Sequence, residues 1–248
     1  MRMSWVKHSK LVAVAFTALV ALGAPGTALA GIVVASSGPS AANYPVGKKL
    51  PDSGKITLSE GDVITILASG KTRILRGKGP HSLSASTTRS RNPVFDALTR
   101  ERNSQRVRTG AVRPGSSGQP VRSPNLWYVD VTKAGTICIT NENEVRLWRP
   151  DMGTPATYTV QAKGGRPSTL AKFDTDSMVA VWDVDMVPVA DGGSYEFGKA
   201  GSPPTNAVSF AVIGDSPEDP EALAQILIDR GCTTQLELLS DTLVTTGG

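Results

Sequence analysis

Asp191-Gly192-Gly193-Ser194-Tyr195-Glu196-Phe197 is the stretch that decides how this chain folds. An acidic residue, small residues, a tyrosine and then a bulky apolar residue form the pattern of a tyrosine corner. In that device a tyrosine hydroxyl bonds back to the main chain a few residues upstream and pins the connection between two packed sheets. Asp191 is then expected to open the corner, Tyr195 to supply the hydroxyl, and Phe197 to point between the sheets from a central strand.

The flanking sequence fits such a sandwich. Runs at 126–131, 136–140, 145–148, 156–160, 177–182 and 208–213 are rich in aromatic and β-branched residues and are separated by turn residues. About seven short strands over 124–214 predict a β-sandwich of immunoglobulin-like type. Phe197 takes the inward place that a cysteine holds in antibody domains, and Cys138 and Trp148 echo the cysteine and tryptophan of that fold. The alternation in 145–148 conflicts with the second echo. If Val145 and Leu147 face inward, Trp148 faces outward unless a bulge intervenes. Trp127, Tyr128, Trp148, Tyr158, Phe173 and Trp182 are expected to pack in the core and on the sheets rather than to line a ligand groove.

Beyond the sandwich, 215–248 reads as a helical tail. Asp219-Pro220 is a cap and first-turn pair, Leu223, Ile226 and Leu227 share a face, and Gly231 ends the helix. Thr234 and Glu237 have capping-box spacing for a second helix carrying Leu236, Leu239 and Leu243. The chain has two cysteines, Cys138 and Cys232, which read first as a disulfide and otherwise as two buried thiols. Ile137 and Ile139 lie on the face opposite Cys138. If they point into the sandwich, Cys138 points out, and a bridge to Cys232 straps the tail onto the outer face of the sheet.

The first 30 residues read as a signal peptide. Arg2, Lys7 and Lys10 precede an apolar run at 11–23, and Ala28-Leu29-Ala30 offers the small residues of a cleavage site. The alternative is a membrane anchor. Cleavage after Ala30 implies a periplasmic or secreted protein with no transmembrane anchor. The span 31–83 then reads as a small β module of short strands and turns. Within it, Leu58-Ser59-Glu60-Gly61-Asp62, a β run, Gly70-Lys71-Thr72-Arg73-Ile74-Leu75 and Gly77-Lys78-Gly79-Pro80 resemble the β domain of FecR-type periplasmic proteins. They resemble more closely the opening of an exported proteobacterial protein family. The resemblance covers about 50 residues and implies a place beside an envelope sensing system. FecR-type proteins also carry a membrane helix and a cytoplasmic arm, which this sequence lacks.

Between module and sandwich, 84–123 is rich in Ser, Arg, Thr, Gly and Pro and is expected to be a basic linker. One helix starts at Asn92-Pro93, with Val94, Leu98 and Glu101 on one face. Of the formal charge of +4, three positive charges leave with the signal peptide, so the mature chain carries +1. From 71 to 122 there are 12 Lys/Arg against Asp96 and Glu101, and from 124 to 248 there are 8 Lys/Arg against 17 Asp/Glu. Such asymmetry implies that the basic part docks on something anionic or that the two halves attract each other. The expected partner is an envelope protein or an anionic envelope polymer. Nucleic acid is not expected, because no aromatic residues interleave with the cations and the compartment is wrong.

The chemistry is sparse. The mature chain has a single histidine, His81, in turn sequence, and no nucleophile elbow, metalloprotease motif or phosphate loop. Asp174/Asp176 and Asp183/Asp185 are two Asp-x-Asp pairs. On strands they would share a face and form weak calcium candidates; the plain alternative is a solvated sheet face. No cofactor and no catalytic residues are assigned. The expected fold is mainly β: a small N-terminal module, an immunoglobulin-like sandwich and a short helical tail. The expected role is non-enzymatic binding or scaffolding at the cell envelope. The alternatives are a secreted carbohydrate- or calcium-binding module and an envelope enzyme.

Overall fold

The computed structural model describes residues 29–51, 54–83, 92–100, 121–151 and 153–244. Most of the predicted signal peptide and much of the predicted linker lie outside these residues. Strand β1 begins at Leu29 and runs to Ser37, so cleavage after Ala30 would leave its pairing intact from Gly31, which lies opposite Leu50.

The module is a four-stranded antiparallel sheet in the order β2 (Lys49–Pro51), β1, β4 (Val63–Ala68), β5 (Lys71–Arg76). A two-stranded sheet of β3 (Lys55–Leu58) and β6 (Gly79–Ser82) accompanies it. β4 is buried on both faces, which is why Val-Ile-Thr-Ile-Leu-Ala lacks a clean polar alternation. Ile64, Ile66 and Ala68 join Ile56 and Leu58 in one core, while Leu67 points the other way into a second.

The sandwich follows. One sheet has the order β11 (Ser168–Phe173), β10 (Ala156–Ala162), β13 (Ser194–Lys199), β14 (Asn206–Val212), β8 (Gly135–Ile139). The other has the order β12 (Val179–Val181), β9 (Arg146–Trp148), β7 (Tyr128–Asp130). Most pairs are antiparallel, but β14–β8 and β7–β9 are parallel. The tyrosine corner forms as read. The Tyr195 hydroxyl donates to the Pro188 carbonyl at 2.8 Å and accepts from the Ala190 N–H at 3.1 Å. The two glycines have separate reasons. Gly192 has φ of 72°, and a Cβ on Gly193 would stand 2.6 Å from the Tyr195 hydroxyl. The Asp191 carboxylate accepts from the Val212 N–H, and Phe197 is fully buried in the core.

Trp148 does not take the central tryptophan position. Val145 and Leu147 face the sandwich core, so the two-residue period turns Trp148 to the opposite side, beside Tyr128 and Met178. Trp182 fills the centre instead, edge-on to Tyr195, Phe197 and Phe210, with its indole N–H donating to the Val187 carbonyl. β11 was not among the expected strands. Its approach through Gly164-Gly165-Arg166-Pro167 and its exposed polar positions read as turn.

A separate core joins the three parts. Helix α1 (Pro93–Thr99) starts at Asn92, whose side chain accepts from the Val94 and Phe95 N–H groups. Phe95 and Leu98 are buried and Val94 is exposed, correcting the expected Val94/Leu98 face by one position; Glu101 lies outside the described residues. These side chains meet Ile32 and Val34 of β1, the leucines of α2 (Pro220–Asp229) and α3 (Thr233–Thr242), and Cys138. Asp219 caps α2 as expected. The Thr234/Glu237 box does not form, because α3 already starts at Thr233 with Cys232 as its cap. The helix begins where the disulfide fixes the chain.

That disulfide links Cys138 to Cys232 across 94 residues, with both cysteines fully buried. Ile137 and Ile139 enter the sandwich core and Cys138 faces the tail, as the alternation requires. Gln235, one turn after Cys232, completes the contact. Its side-chain oxygen accepts from the Cys138 N–H at 2.6 Å, and its NH2 donates to the Cys138 and Leu126 carbonyls at 2.8 Å.

Two outcomes follow from this joint and from the corner. Replacing both cysteines by alanine should lower the unfolding free energy by about 4 kcal/mol in chemical denaturation, because the closed loop is long. Tyr195→Phe should cost about 1–2 kcal/mol, since it strips the hydroxyl from two main-chain partners.

Candidate functional site

Two surfaces of this molecule gather charged or polar side chains. The first is the exterior of the N-terminal module. Lys49, Lys55, Lys71, Arg76 and Lys78 are exposed and form no ion pair among the described residues. Three of these five come from β5 and the turn after it. The acidic residues of the module among those described are Glu60 and Asp62, and Asp62 is buried. The ion pairs seen elsewhere among the described residues are Arg122–Asp241 at 3.1 Å and Arg146–Glu144 at 2.8 Å, neither within the module. Among the described residues no carboxylate of the acidic sandwich forms an ion pair with these five module cations.

Asp62 has a structural task. It accepts main-chain N–H groups of Ser40 and Ser59 and closes the turn between β3 and β4. The Ser40 N–H above all holds its carboxyl below the ordinary value of 3.8, against the opposing effect of burial. Its contribution to stability is present above that value and is lost as pH falls through the lower folded value. His81 is half-buried on β6, with Nε2 2.9 Å from the Gly77 carbonyl, within the turn that joins β5 to β6.

The second surface is the outer face of the five-stranded sheet. Alternation sends Tyr195, Phe197, Val208 and Phe210 inward and Ser194, Glu196, Ala207 and Ser209 outward. One end of this outer face is covered by the disulfide and α3. Beyond that cover lies a groove of about 260 Å³ lined by Thr136, Lys163, Ser194, Glu196, Ala207 and Ser209, among others. The Ser194 and Ser209 hydroxyls stand 2.9 Å apart, and the Gln161 side chain donates to Glu196 at 2.8 Å. The groove offers hydroxyls, one cation and one carboxylate. No aromatic ring forms its floor, because the ring of Tyr195 points into the core.

The Asp-x-Asp pairs lie elsewhere. Asp174 and Asp176 sit in the turn after β11, where Asp176 has φ of 60°, and Asp183 and Asp185 sit in the turn after β12. They are turn residues and do not share a strand face. The Asp183 carboxylate accepts the Met186 N–H. Among the described residues no three His, Cys, Asp or Glu side chains are grouped to hold a metal ion. The aromatic residues read as packing are all distributed among the cores: Tyr158, Phe173 and Trp182 in the sandwich, Trp127 at the joint, Tyr128 and Trp148 beyond the smaller sheet.

One titrating contact ties the module to the tail. The Gly70 N–H donates to Glu221 at 2.9 Å, and Asn92 donates to the Gly70 carbonyl at 2.8 Å. Burial, and then the neighbouring Asp219 carboxyl, raise Glu221 from 4.5 to about 7. The folded state thus holds this proton more tightly than the unfolded state, so its stabilising effect is full below 4.5 and is lost as pH rises through 7. Thermal unfolding should show Glu221→Gln matching the parent at pH 4 and exceeding it at pH 8, since glutamine keeps the acceptor without the charge. No family model, curated protein or solved structure matches this chain.

Proposed function

We propose that this is a non-enzymatic binding or scaffolding protein of the cell envelope, exported by its first 30 residues and held to an anionic envelope polymer by its N-terminal module. One observation carries the reading: five exposed cations on a small β module form no ion pair among the described residues, although the chain supplies an acidic half. Unpaired surface cations raise the local concentration of anionic partners and speed their capture. The buried disulfide agrees with folding in an oxidising space. Among the described residues no helix is long and apolar enough to cross a membrane. The likeness of 58–80 to FecR-type proteins favours a place beside a sensing system.

A second reading is a secreted carbohydrate-binding module, favoured by the hydroxyls and the Glu196 carboxylate of the outer groove. The two readings part in a single assay. The purified protein should be retained on a polyphosphate or dextran-sulfate matrix, and not on neutral dextran. Retention should fall steeply from about 0.05 to about 0.5 M salt as screening shortens the reach of the charges. Lys55→Gln/Lys71→Gln/Arg76→Gln/Lys78→Gln should abolish it. Retention that ignores salt, or that survives the four substitutions, refutes docking through the module. Mass measurement of the protein recovered from a bacterial periplasm should find Gly31 at the N-terminus; an intact Met1 refutes the exported form.

A further inference from the structure

The border of a β-sheet presents unpaired N–H and C=O groups that invite another strand. This molecule guards most of its borders. β2, β7 and β12 have three residues each. The Thr72 N–H on β5 donates to the Leu243 carbonyl, and Thr72 bridges Val244. On β3, the Tyr44 hydroxyl takes the Thr57 N–H and donates to the Thr57 carbonyl. On β8, Gln235 satisfies both main-chain groups of Cys138. β11 differs: like β5 it has six residues, but among the described residues no strand or side chain hydrogen-bonds to its outer border, with β12 of the other sheet lying beside it.

The hydrogen-bond phase of β11 can be read directly. Ala162 N–H donates to the Pro167 carbonyl, so Thr169, Ala171 and Phe173 direct their main-chain groups at β10. Those of Ser168, Leu170 and Lys172 point away from the sheet. The Leu170 side chain is 56% exposed in the middle of this border. At one end lies the turn with Lys163 and Arg166, and at the other the turn with Asp174 and Asp176; all four side chains are exposed and unpaired among the described residues.

We propose that β11 pairs antiparallel with β11 of a second copy of this chain, about a twofold axis at Leu170, joining two five-stranded sheets into one. This goes beyond the envelope reading and does not depend on it. The register places Leu170 opposite its own copy and Ser168 opposite Lys172, so no like charges face each other along the strand. About six main-chain hydrogen bonds form, two for each of the three outward pairs. Each basic turn then meets the acidic turn of the other copy, with Arg166 opposite Asp174 and Lys163 close to Asp176. An isologous contact repeats this match twice. The charged turns that flank β11 supply the complementarity. The interface is small, so association is weak and reversible.

Sedimentation equilibrium of the full chain, from about 10 μM to about 1 mM, should show a monomer–dimer equilibrium in this range. Arg166→Glu and Asp174→Arg should each weaken the dimer about tenfold, and the two together should restore it. Twofold pairing also sets the Cα atoms of Leu170 and its copy about 5.5 Å apart, within disulfide reach. Leu170→Cys should therefore oxidise to a covalent dimer much faster than Met186→Cys, which is 57% exposed but off the border. A monomer throughout the range, a charge swap that fails to rescue, or equal oxidation rates for the two cysteine variants would overturn the proposal. Circular dichroism of each variant distinguishes loss of pairing from loss of fold.

Discussion

Everything between the two β units hangs on the main chain and sulfur of Cys138. The sulfur is bonded to Cys232 at the start of α3, and the N–H and carbonyl of the same residue are bonded to Gln235 one turn later. Cys138 lies on the border strand of the larger sheet, so its main-chain groups would otherwise be buried without partners. Unmet polar groups in such a place cost about 1–3 kcal/mol each. The amide of Gln235 imitates a neighbouring strand at one residue, and the disulfide holds the helix in the only place where it can do so. The tail is thereby a layer of the structure, with β1, α1 and the outer face of the sandwich packed around it.

This joint also determines what remains open. The helices take one end of the outer sheet face, leaving the hydroxyl-lined groove at the other. They bring Glu221 against Gly70, which ties the tip of the β4–β5 hairpin to the tail through a carboxyl that titrates near neutrality. The charge asymmetry of the chain becomes a spatial one: cations on the module remain on the surface while the acidic residues of the sandwich sit mainly in turns.

Much of the fold was legible where a local pattern has a local cause. The tyrosine corner, the outward turn of Cys138, the Asp219 cap and the Leu236/Leu239/Leu243 face each follow from spacing. Failures came where two local patterns compete. Trp148 matched a tryptophan position by spacing, and that echo failed, while the competing alternation of Val145 and Leu147, which turns Trp148 outward, held. Thr234 had the right partner at Glu237, yet a cap upstream had been fixed by covalent geometry. β11 carries exposed Ser168, Leu170 and Lys172 because a border strand is solvated, and solvation erases the apolar signal that marks a strand.

By itself the sequence determined the mainly β class of the fold and the side of the sheet to which Cys138 turns, because these depend on the two-residue and 3.6-residue periods of strand and helix geometry read against water. Only the tertiary structure decided that Trp182 fills the centre, that Gln235 serves as a strand, and that among the described residues no strand is hydrogen-bonded to the outer border of β11. Each of those depends on which distant groups arrive as neighbours, and a buried N–H or an uncovered edge has no meaning until the chain has closed around it.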